Sequence, residues 1–257
     1  MTALEPVPDL EALETGRLRA AEPDPGAPGG WRVRPEVKAA ILARFRDRTP
    51  VEWPVGPLRF RDRAGLPLHE LADPSIRVVP GGSSIRAGAF LGHDVVVMPP
   101  SFVNVGAWIG AGSMIDSHVL IGSCAQIGER VHLAAGVLIG GVLEPAGARP
   151  VIVEDDAFVG AGTALLDGVL VGTGAVIGAG VTLTGTSRIY DLVRGRVLDG
   201  TAERPLAVPP GAVVVPGTRA VDGVFGRSHG LGLATAVLVK DRDARTDARV
   251  ALEDALR

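Results

Sequence analysis

Asp116 is the residue whose surroundings most suggest chemistry, because a carboxylate stands where a small residue is usual. It lies in the segment GSMIDS (112–117), directly after Ile115. Ile115 belongs to a long series of aliphatic residues spaced six apart, and the residue after each is often glycine. A carboxylate there is either a solvated group or one that lines a cleft and holds or deprotonates an amine nucleophile. The residue alone leaves both interpretations open.

Two arginines flank the region with the six-residue spacing. Arg77 lies at its start and Arg188 follows its end. A guanidinium group recognises carboxylates through two parallel hydrogen bonds. Nearly all of the 26 basic residues are arginine, so each could equally be an ordinary surface residue.

The histidines and the cysteine do not suggest a metal centre or a nucleophile. His132 directly precedes an aliphatic of the series, so we expect it on an outer wall in a structural role. Cys124 is the single cysteine, and we expect it to pack as a small hydrophobe. Because no histidine spacing matches a metal site, we predict no metal. The five histidines are His69, His93, His118, His132 and His229.

The six-residue spacing is the dominant pattern of the chain. It pauses for a 14-residue step that contains Pro145 and Pro150, as expected for a loop extruded at one point. The glycine-containing stretches GAGSM (110–114) and GTGAVIG (172–178) belong to this repeat and lack the context of a phosphate-binding loop. The aliphatic positions are Ile85, Leu91, Val97, Val103, Ile109, Ile115, Ile121, Ile127, Leu133 and Ile139, then Val153, Val159, Leu165, Val171, Ile177 and Leu183.

A period of six fits neither an amphipathic helix nor a series of hairpins. It fits a chain that turns a corner every six residues, with one aliphatic per flat side pointing inward. A small residue after each aliphatic would let the backbone bend. Three sides make a coil, and sixteen hexads predict a prism of about five coils, roughly 25 Å long at the usual strand spacing. The aromatic content of 4% agrees with a narrow interior.

The prism is predicted over 76–186, and residues 1–75 form a small α-rich N-terminal domain. Within that domain a short amphipathic stretch precedes the clearest helix, predicted over 35–48. The leucines of the short stretch are Leu10, Leu13 and Leu18, and the apolar face of the helix would be Val37, Ala40, Ile41, Leu42, Ala43 and Phe45.

Residues 187–257 form a short C-terminal extension of strands and a helix. Its first part, 187–206, breaks the repeat and is predicted to leave the prism as a long loop or hairpin. Strands are predicted over 209–220 and 231–240. A final helix is predicted over 246–257, with Thr246 or Asp247 as its cap.

Composition excludes several classes of protein. A net charge of −3 argues against a nucleic-acid surface. The N-terminal residues show no signal pattern, and no apolar run approaches the ~20 residues of a membrane helix. A single cysteine excludes an internal disulfide. We therefore expect a cytoplasmic protein that binds neither nucleic acid nor membrane.

Several segments together resemble the tetrahydrodipicolinate N-succinyltransferases, a family of hexapeptide-repeat acyltransferases. The most specific is GSCAQIGERVHLAAGVLIGGVLEP (122–145). The resemblance extends over about residues 13 to 257, and it implies a left-handed parallel β-helix. The other segments are 76–90, 98–117, 151–160 and 186–191.

The resemblance implies a reaction and an assembly. A succinyl group would pass from succinyl-CoA to the amine of ring-opened tetrahydrodipicolinate, L-2-amino-6-oxopimelate, in lysine and diaminopimelate biosynthesis. Members are similar in being homotrimers with active sites between adjacent β-helices. The pantetheine arm of the coenzyme A thioester lies along the helix wall. No metal is implied.

The same resemblance implies roles for particular residues. Asp116 matches the aspartate that binds the substrate amine, and is the expected catalytic residue. Arg77 and Arg188 match substrate-binding arginines. The CoA co-substrate is expected to contact Lys240 and the wall glycines, which are Gly160 and Gly178.

One segment, GAGTALLDG (160–168), departs from the family pattern. The glutamate that helps to hold the substrate amine falls on Ala164, and an arginine falls on Gly162. Asp167 aligns with a closing acidic residue but is not expected to replace that glutamate. Two alternatives therefore stay open: an N-acyltransferase of the same fold with another acceptor or acyl donor, and a non-catalytic β-helix trimer.

Overall fold

The computed structural model describes residues 9–201 and 203–246. At its centre the chain winds through short parallel strands into a three-sided prism, with one sheet on each side. This is the left-handed parallel β-helix that the six-residue period and the resemblance predicted. The final helix predicted over 246–257 lies outside the described residues, apart from Thr246.

The N-terminal part consists of two helices and two hairpins. The predicted helix is present but ends at Arg44, four residues early. Neither hairpin was predicted. In the second one, Pro50 and Pro54 interrupt the β pattern of the sequence. The elements are α1 (Leu10–Glu14), β1 (Ala21–Pro23), a 3-10 turn (Pro28–Gly30), β2 (Trp31–Val33), α2 (Pro35–Arg44), β3 (Pro50–Val55) and β4 (Leu58–Arg63).

The prism is built from two-residue strands joined by four-residue corners. In chain order they are β5 (Arg77–Val78), β6 (Ser84–Ile85), β7 (Phe90–Leu91), β8 (Val96–Val97), β9 (Phe102–Val103), β10 (Trp108–Ile109), β11 (Met114–Ile115), β12 (Leu120–Ile121), β13 (Gln126–Ile127), β14 (His132–Leu133), β15 (Leu138–Ile139), β16 (Ile152–Val153), β17 (Phe158–Val159), β18 (Ala164–Leu165), β19 (Leu170–Val171), β20 (Val176–Ile177) and β21 (Thr182–Leu183).

After β21 the chain leaves the prism as a hairpin, as predicted, and then returns to it. The hairpin is β22 (Arg188–Asp191) with β23 (Arg196–Asp199). It is followed by β24 (Ala207–Val208), β25 (Ala212–Ala220), α3 (Val224–Ser228) and β26 (Gly232–Asp241). Both predicted C-terminal strands are therefore present. Residues 244–246 are already helical, and Asp243 accepts hydrogen bonds from the N–H and hydroxyl of Thr246. Asp243 is therefore the cap, and the prediction of Thr246 or Asp247 was wrong.

Each side of the prism is a stack of parallel strands. The first face runs from β5 through β8, β11, β14, β17 and β20 to β25. The second face runs from β6 to β21, and the third from β7 to β24. The second and third faces hold six strands each, so the prism has six coils rather than the five predicted. The three additional strands are β5 at the start and β24 and β25 at the end, and the hairpin separates the last two from the rest of the repeat.

The predicted inward aliphatics form the core. All sixteen are at most 6% exposed, and Val208 and Val214 continue the column after the hairpin. Full burial of one Val, Ile or Leu side chain stabilises the folded state by roughly 1.5–3 kcal/mol. These two-residue strands are therefore held in register mainly by the interior column.

Each corner has two positions with different steric demands. The third residue after the inward aliphatic usually has a positive φ, as at Gly112, His118 and Gly162. The first residue after it faces the backbone of the next coil: a Cβ on Gly160 would lie 2.5 Å from the nitrogen of Ala179. Glycine is therefore favoured at the first position by lack of room, whereas we had expected it there for bending.

Candidate active site

Asp116 lies on the corner between the first and second faces, which we call the first corner. Gly160 and Gly178 occupy the same position two and three coils further along. Their amides donate to the carbonyl oxygens of Ile177 and Val214, as that of Asp116 does to Leu133, at 2.7–2.9 Å. Three residues that the sequence analysis singled out for different roles therefore form one column. At about 4.8 Å per coil, Gly178 is roughly 14 Å from Asp116 along the prism.

The carboxylate of Asp116 is held in a defined orientation. Its backbone carbonyl accepts from the hydroxyl of Ser101 at 2.9 Å, and its Oδ1 accepts from the N–H of Ser117 at 2.9 Å. The side chain is 31% exposed. A carboxylate that is fixed on one side and open on the other can receive a hydrogen bond from a ligand without first being ordered.

His132 lies beside Asp116 on the first face. It points away from the prism interior, as expected, but the residue is only 3% exposed. Its ring packs edge-on against Phe158 at a centroid distance of 5.1 Å. Its Nε2 is 4.0 Å from Oδ2 of Asp116. The sequence analysis had given this histidine no part in the site, because only stacking of the coils makes the two residues neighbours.

Arg77 opens the first face, two coils before Asp116. Its strand pairs in parallel with β8, which pairs with β11. Its side chain is exposed, and no ion pair of this arginine is seen among residues 9–201 and 203–246. Arg77 and Asp116 therefore share one side of the prism at a separation of roughly 10 Å along its axis.

Arg188 lies beyond the other end of the prism, in a polar cavity of about 490 Å³. Arg219 lines the same cavity, together with the hydroxyl-bearing residues Thr182, Ser187 and Thr235. The lining residues named in the described part of the chain include no carboxylate. Such a cavity suits an anion, and Arg219 was missed because β25 alone gives no sign of its neighbours.

The cavity continues the first corner. Gly180, two residues after Gly178, and Thr182 at the start of β21 both line it. Arg188 is at least three coils from Asp116, or roughly 14 Å along the axis. Within one chain, Arg188 and Asp116 therefore do not converge on the same small ligand.

Comparisons with known proteins decide the family. A family model described as hexapeptide repeat of succinyl-transferase matches residues 150–185, and one described as bacterial transferase hexapeptide (six repeats) matches 106–141. A protein from Xylella fastidiosa named 2,3,4,5-tetrahydropyridine-2,6-dicarboxylate N-succinyltransferase is 40% identical over 254 residues, covering 96% of this chain and 86% of its own. One of the same name from Idiomarina loihiensis is 41% identical, with the same coverage. This chain belongs to the 2,3,4,5-tetrahydropyridine-2,6-dicarboxylate N-succinyltransferase family.

One solved structure is similar to a part of this chain. It is a hexapeptide-repeat containing acetyltransferase from Vibrio cholerae, 22% identical, with a TM-score of 0.35. The match covers 49% of this chain and 67% of that one. The overlap is too partial to bear on function.

Lys240, the residue expected to contact CoA, is already paired in this N-succinyltransferase family member. Its ammonium lies 2.7 Å from Oδ2 of Asp243, and both side chains are nearly half exposed. The pair lowers the pKa of Asp243. Lys240 is the neighbour of Val213 across β25 and β26, so it lies at the end of the first face rather than in the Arg188 cavity.

Ala164 occupies an outward position on the second face, between Leu138 and Thr182 of the neighbouring coils. It is partly exposed. Its methyl group cannot accept a hydrogen bond, so this surface lacks the carboxylate that the sequence resemblance implies at this position. The position lies two coils beyond Asp116.

Cys124 packs between the prism and α2, as expected. The residue is fully buried with Val105 and Ile41. Burial raises the pKa of its thiol to about 12. The thiolate that a nucleophile would need is therefore not formed near neutral pH.

An aromatic cavity on the third face holds an arginine from the N-terminal part. The guanidinium carbon of Arg19 is 4.0 Å from the ring centre of Trp108, and its Nε donates to Gln126 at 2.6 Å. Burial lowers the pKa of Arg19 to about 10. Trp31 donates from Nε1 to Glu154 at 2.9 Å. These two hydrogen bonds and the stacking of Arg19 on Trp108 fasten the N-terminal part to the prism.

Residues 9–201 and 203–246 contain no group of three or more His, Cys, Asp or Glu side chains placed to hold a metal ion. No helix in those ranges is long and apolar enough to span a membrane.

Proposed function

We propose that this protein transfers the succinyl group of succinyl-CoA to the amine of L-2-amino-6-oxopimelate, the ring-opened form of tetrahydrodipicolinate. The proposal rests on membership of the N-succinyltransferase family together with a fixed, open carboxylate at Asp116. The class of reaction is N-acylation by a thioester. In this proposal Asp116 is the catalytic residue, and Arg77 binds a carboxylate of the acceptor.

The chemistry assigns a clear task to Asp116. The acceptor arrives as an ammonium ion, and a carboxylate binds it and takes a proton, which leaves a nucleophilic amine. The amine nitrogen forms a bond to the thioester carbonyl carbon, and the carbon–sulfur bond breaks. The departing thiolate of CoA takes up one proton, and a second is released to solvent. An ordered Asp116 lowers the barrier because it need not be reoriented during the step.

The first corner gives the CoA thioester a path. After Asp116 the same corner position is held by Ala134, Gly160 and Gly178, so no side chain larger than a methyl group stands at that position between Asp116 and the Arg188 cavity. An extended pantetheine arm needs roughly 15–20 Å, about the length of this stretch at 4.8 Å per coil. We assign the cavity with Arg188 and Arg219 to the phosphates of CoA, since guanidinium groups and hydroxyls are the usual partners of phosphate.

We propose a homotrimer with active sites between subunits. The N-terminal elements pack on the third face and on the corner between the second and third faces. The second face, beside Asp116, exposes Leu120 and Leu138 by more than a third. Apolar side chains in a row on an uncovered sheet are typical of a subunit interface. In such a trimer Asp116 would lie at the mouth of a cleft between two prisms.

The alternative is an N-acyltransferase of the same fold with another acceptor. Ala164 favours it, because an acceptor amine would meet one carboxylate fewer than in typical members. Losing a charged hydrogen-bond partner costs about 1.5–3 kcal/mol.

We also propose a cytoplasmic location. The chain has one cysteine, and that thiol is free and buried. A protein that builds its core without disulfides does not need an oxidising compartment.

A thiol-release assay tests the proposal. Purified protein is given succinyl-CoA or acetyl-CoA in combination with L-2-aminopimelate and a panel of other amino acids. We expect turnover to be fastest with succinyl-CoA and L-2-aminopimelate. Asp116→Asn should lower it about a hundredfold or more. Asp167→Asn is the matched control, because Asp167 is an exposed carboxylate on the corner between the second and third faces. The turnover of this variant should equal that of the native protein.

Other outcomes would redirect the assignment. Activity on a different amino acid, with none on L-2-aminopimelate, would favour the alternative acceptor. No thiol release with any pair would contradict acyl transfer. Equal activity of Asp116→Asn and the native protein would remove Asp116 from the mechanism.

A further inference from the structure

The imidazole of His132 lies beside the Asp116 carboxylate, on its buried side. Ser117 occupies Oδ1, and Nε2 of His132 faces Oδ2 at 4.0 Å. The His132 side chain is 4% exposed, against 31% for Asp116. One side of the carboxylate is therefore open to an acceptor amine, and the other is backed by a buried polar ring.

The imidazole itself is held by its neighbours on the first face. His132 pairs with Met114 on one side and with Phe158 on the other. Met114 is 6% exposed, and the Phe158 ring meets the imidazole at 66°. A ring held between two strands keeps its nitrogen in place, which is what a group that orients another side chain requires.

We propose that His132 is a positioning residue for Asp116, an inference that rests on the proposed acyl transfer. Nε2 lies 4.0 Å from Oδ2, so in the tautomer with its proton on Nε2 the ring donates to Oδ2 after a small rotation of the carboxylate. Such contacts are often long before substrate binds and shorten in the reacting complex. With Oδ1 bound to Ser117 and Oδ2 to His132, the remaining lone pairs of both oxygens face the acceptor ammonium. His132 itself takes no proton from the substrate.

Two variants of His132 separate a positioning role from a packing role. In His132→Gln the amide nitrogen reaches the place of Nε2, whereas in His132→Asn it reaches only that of Nδ1. We expect His132→Asn to lower kcat roughly 10- to 100-fold, the effect of losing one hydrogen bond to a charged group. The KM for succinyl-CoA should be unchanged. His132→Gln should recover kcat to within about threefold of the native value.

A double-mutant cycle with Asp116→Asn shows whether the effect acts through that carboxylate. We expect His132→Asn to have no further effect in the Asp116→Asn background, because coupled groups are not additive. The control pair is His93→Asn and His93→Gln, since His93 is an exposed histidine on the corner between the third and first faces. Both should keep native kcat. Thermal melting of every variant accompanies the kinetics.

Three results would overturn the inference. His132→Asn could be as active as the native protein, or His132→Gln and His132→Asn could be impaired equally and melt equally early. The effects of His132→Asn and Asp116→Asn could also be additive. If the native protein shows no acyl-transfer activity, the proposed function fails and this inference fails with it. If the native protein is active, the results for the His132 variants test this inference alone.

Discussion

The side-chain ammonium of Lys38, on α2, donates a hydrogen bond to the carbonyl oxygen of Ala148, in the loop that interrupts the prism. The carbonyl of Pro145 lies 3.5 Å from the same nitrogen. Lys38 is fully buried, and burial lowers the pKa of its ammonium group. A buried cation held by backbone dipoles therefore joins the N-terminal part to the inserted loop.

Replacing Lys38 should destabilise the protein strongly. Lys38→Ala leaves a cavity and removes the donor from the loop carbonyls, so we expect the free energy of unfolding to fall by about 3 kcal/mol. Lys240→Ala is the control, because Lys240 forms an exposed ion pair worth at most ~1 kcal/mol. Denaturant titrations measure both. A loss for Lys38→Ala no larger than that for Lys240→Ala would mean that the loop does not depend on this contact.

The stability contributed by Lys38 should rise with pH. The pKa of its ammonium lies below the ordinary value of 10.5 in the folded protein. In the window between the lowered pKa and 10.5, the unfolded chain binds the proton and the folded chain does not, so raising the pH favours folding. Below that window both states are protonated and no slope arises. We expect the difference in unfolding free energy between the native protein and Lys38→Ala to widen from pH 7 to pH 10. A constant or narrowing difference would contradict the lowered pKa.

The two kinds of corner position should respond differently to alanine. Gly160→Ala would place a Cβ 2.5 Å from the nitrogen of Ala179, so adjacent coils must separate, and we expect a loss of at least about 2 kcal/mol. Gly162, on the same corner, has φ +67 and open space around it. Gly162→Ala should cost only the left-handed backbone penalty, about 1 kcal/mol. Calorimetric melting measures the loss of stability in both variants. A larger loss for Gly162→Ala than for Gly160→Ala would contradict the steric explanation.

The central fold could be predicted from the sequence because it depends on one local rule. Each inward aliphatic is six residues from the next, and this period implies a corner every six residues. The N-terminal hairpin of β3 and β4 obeys no such rule, since Pro50 and Pro54 disguise its strands. The extra coil was missed because the hairpin after β21 interrupts the repeat before Val208 resumes it.

The site was predictable only in part, because stacking of coils brings distant residues together. Asp116 stood out by its own type and position. The closeness of His132 to Asp116 depends on the pairing of β11 with β14, and that of Arg219 to Arg188 depends on β26, which pairs with both β25 and β22. Neither of these two proximities can be recognised from the local sequence. Side chains separated by one coil are neighbours only after the register is known.

Restoring a carboxylate at position 164 should improve the proposed reaction. Position 164 lies two coils from Asp116 in the same chain, so Ala164→Glu adds a partner for the acceptor ammonium across the proposed subunit interface. We expect kcat/KM for L-2-aminopimelate to rise roughly 10- to 100-fold. Ala64→Glu is the control, because Ala64 is exposed in the N-terminal part, away from the first corner, and it should give no gain. Steady-state kinetics with saturating succinyl-CoA measure the change. An unchanged or lower kcat/KM would mean that Asp116 suffices or that the natural acceptor has no need of the second carboxylate.

The assignment of the Arg188 cavity to phosphate can be tested with two acyl donors. Succinyl-CoA carries the nucleotide phosphates, whereas S-succinylpantetheine lacks them. If Arg219 binds phosphate, Arg219→Ala should raise the KM for succinyl-CoA about tenfold or more and leave that for S-succinylpantetheine unchanged. Arg227→Ala is the control, because Arg227 is exposed on α3 between β25 and β26, and it should change neither KM.

Arg188→Ala should behave like Arg219→Ala, because both side chains line one cavity and Arg188 is at least three coils from Asp116 in the same chain. The resemblance to the family implies instead that Arg188 binds a carboxylate of the acceptor, which it could do only in a site completed by another subunit. In that case Arg188→Ala would raise the KM for L-2-aminopimelate with either donor. The KM for succinyl-CoA would then stay at its native value, and the cavity would be an acceptor site rather than a phosphate site.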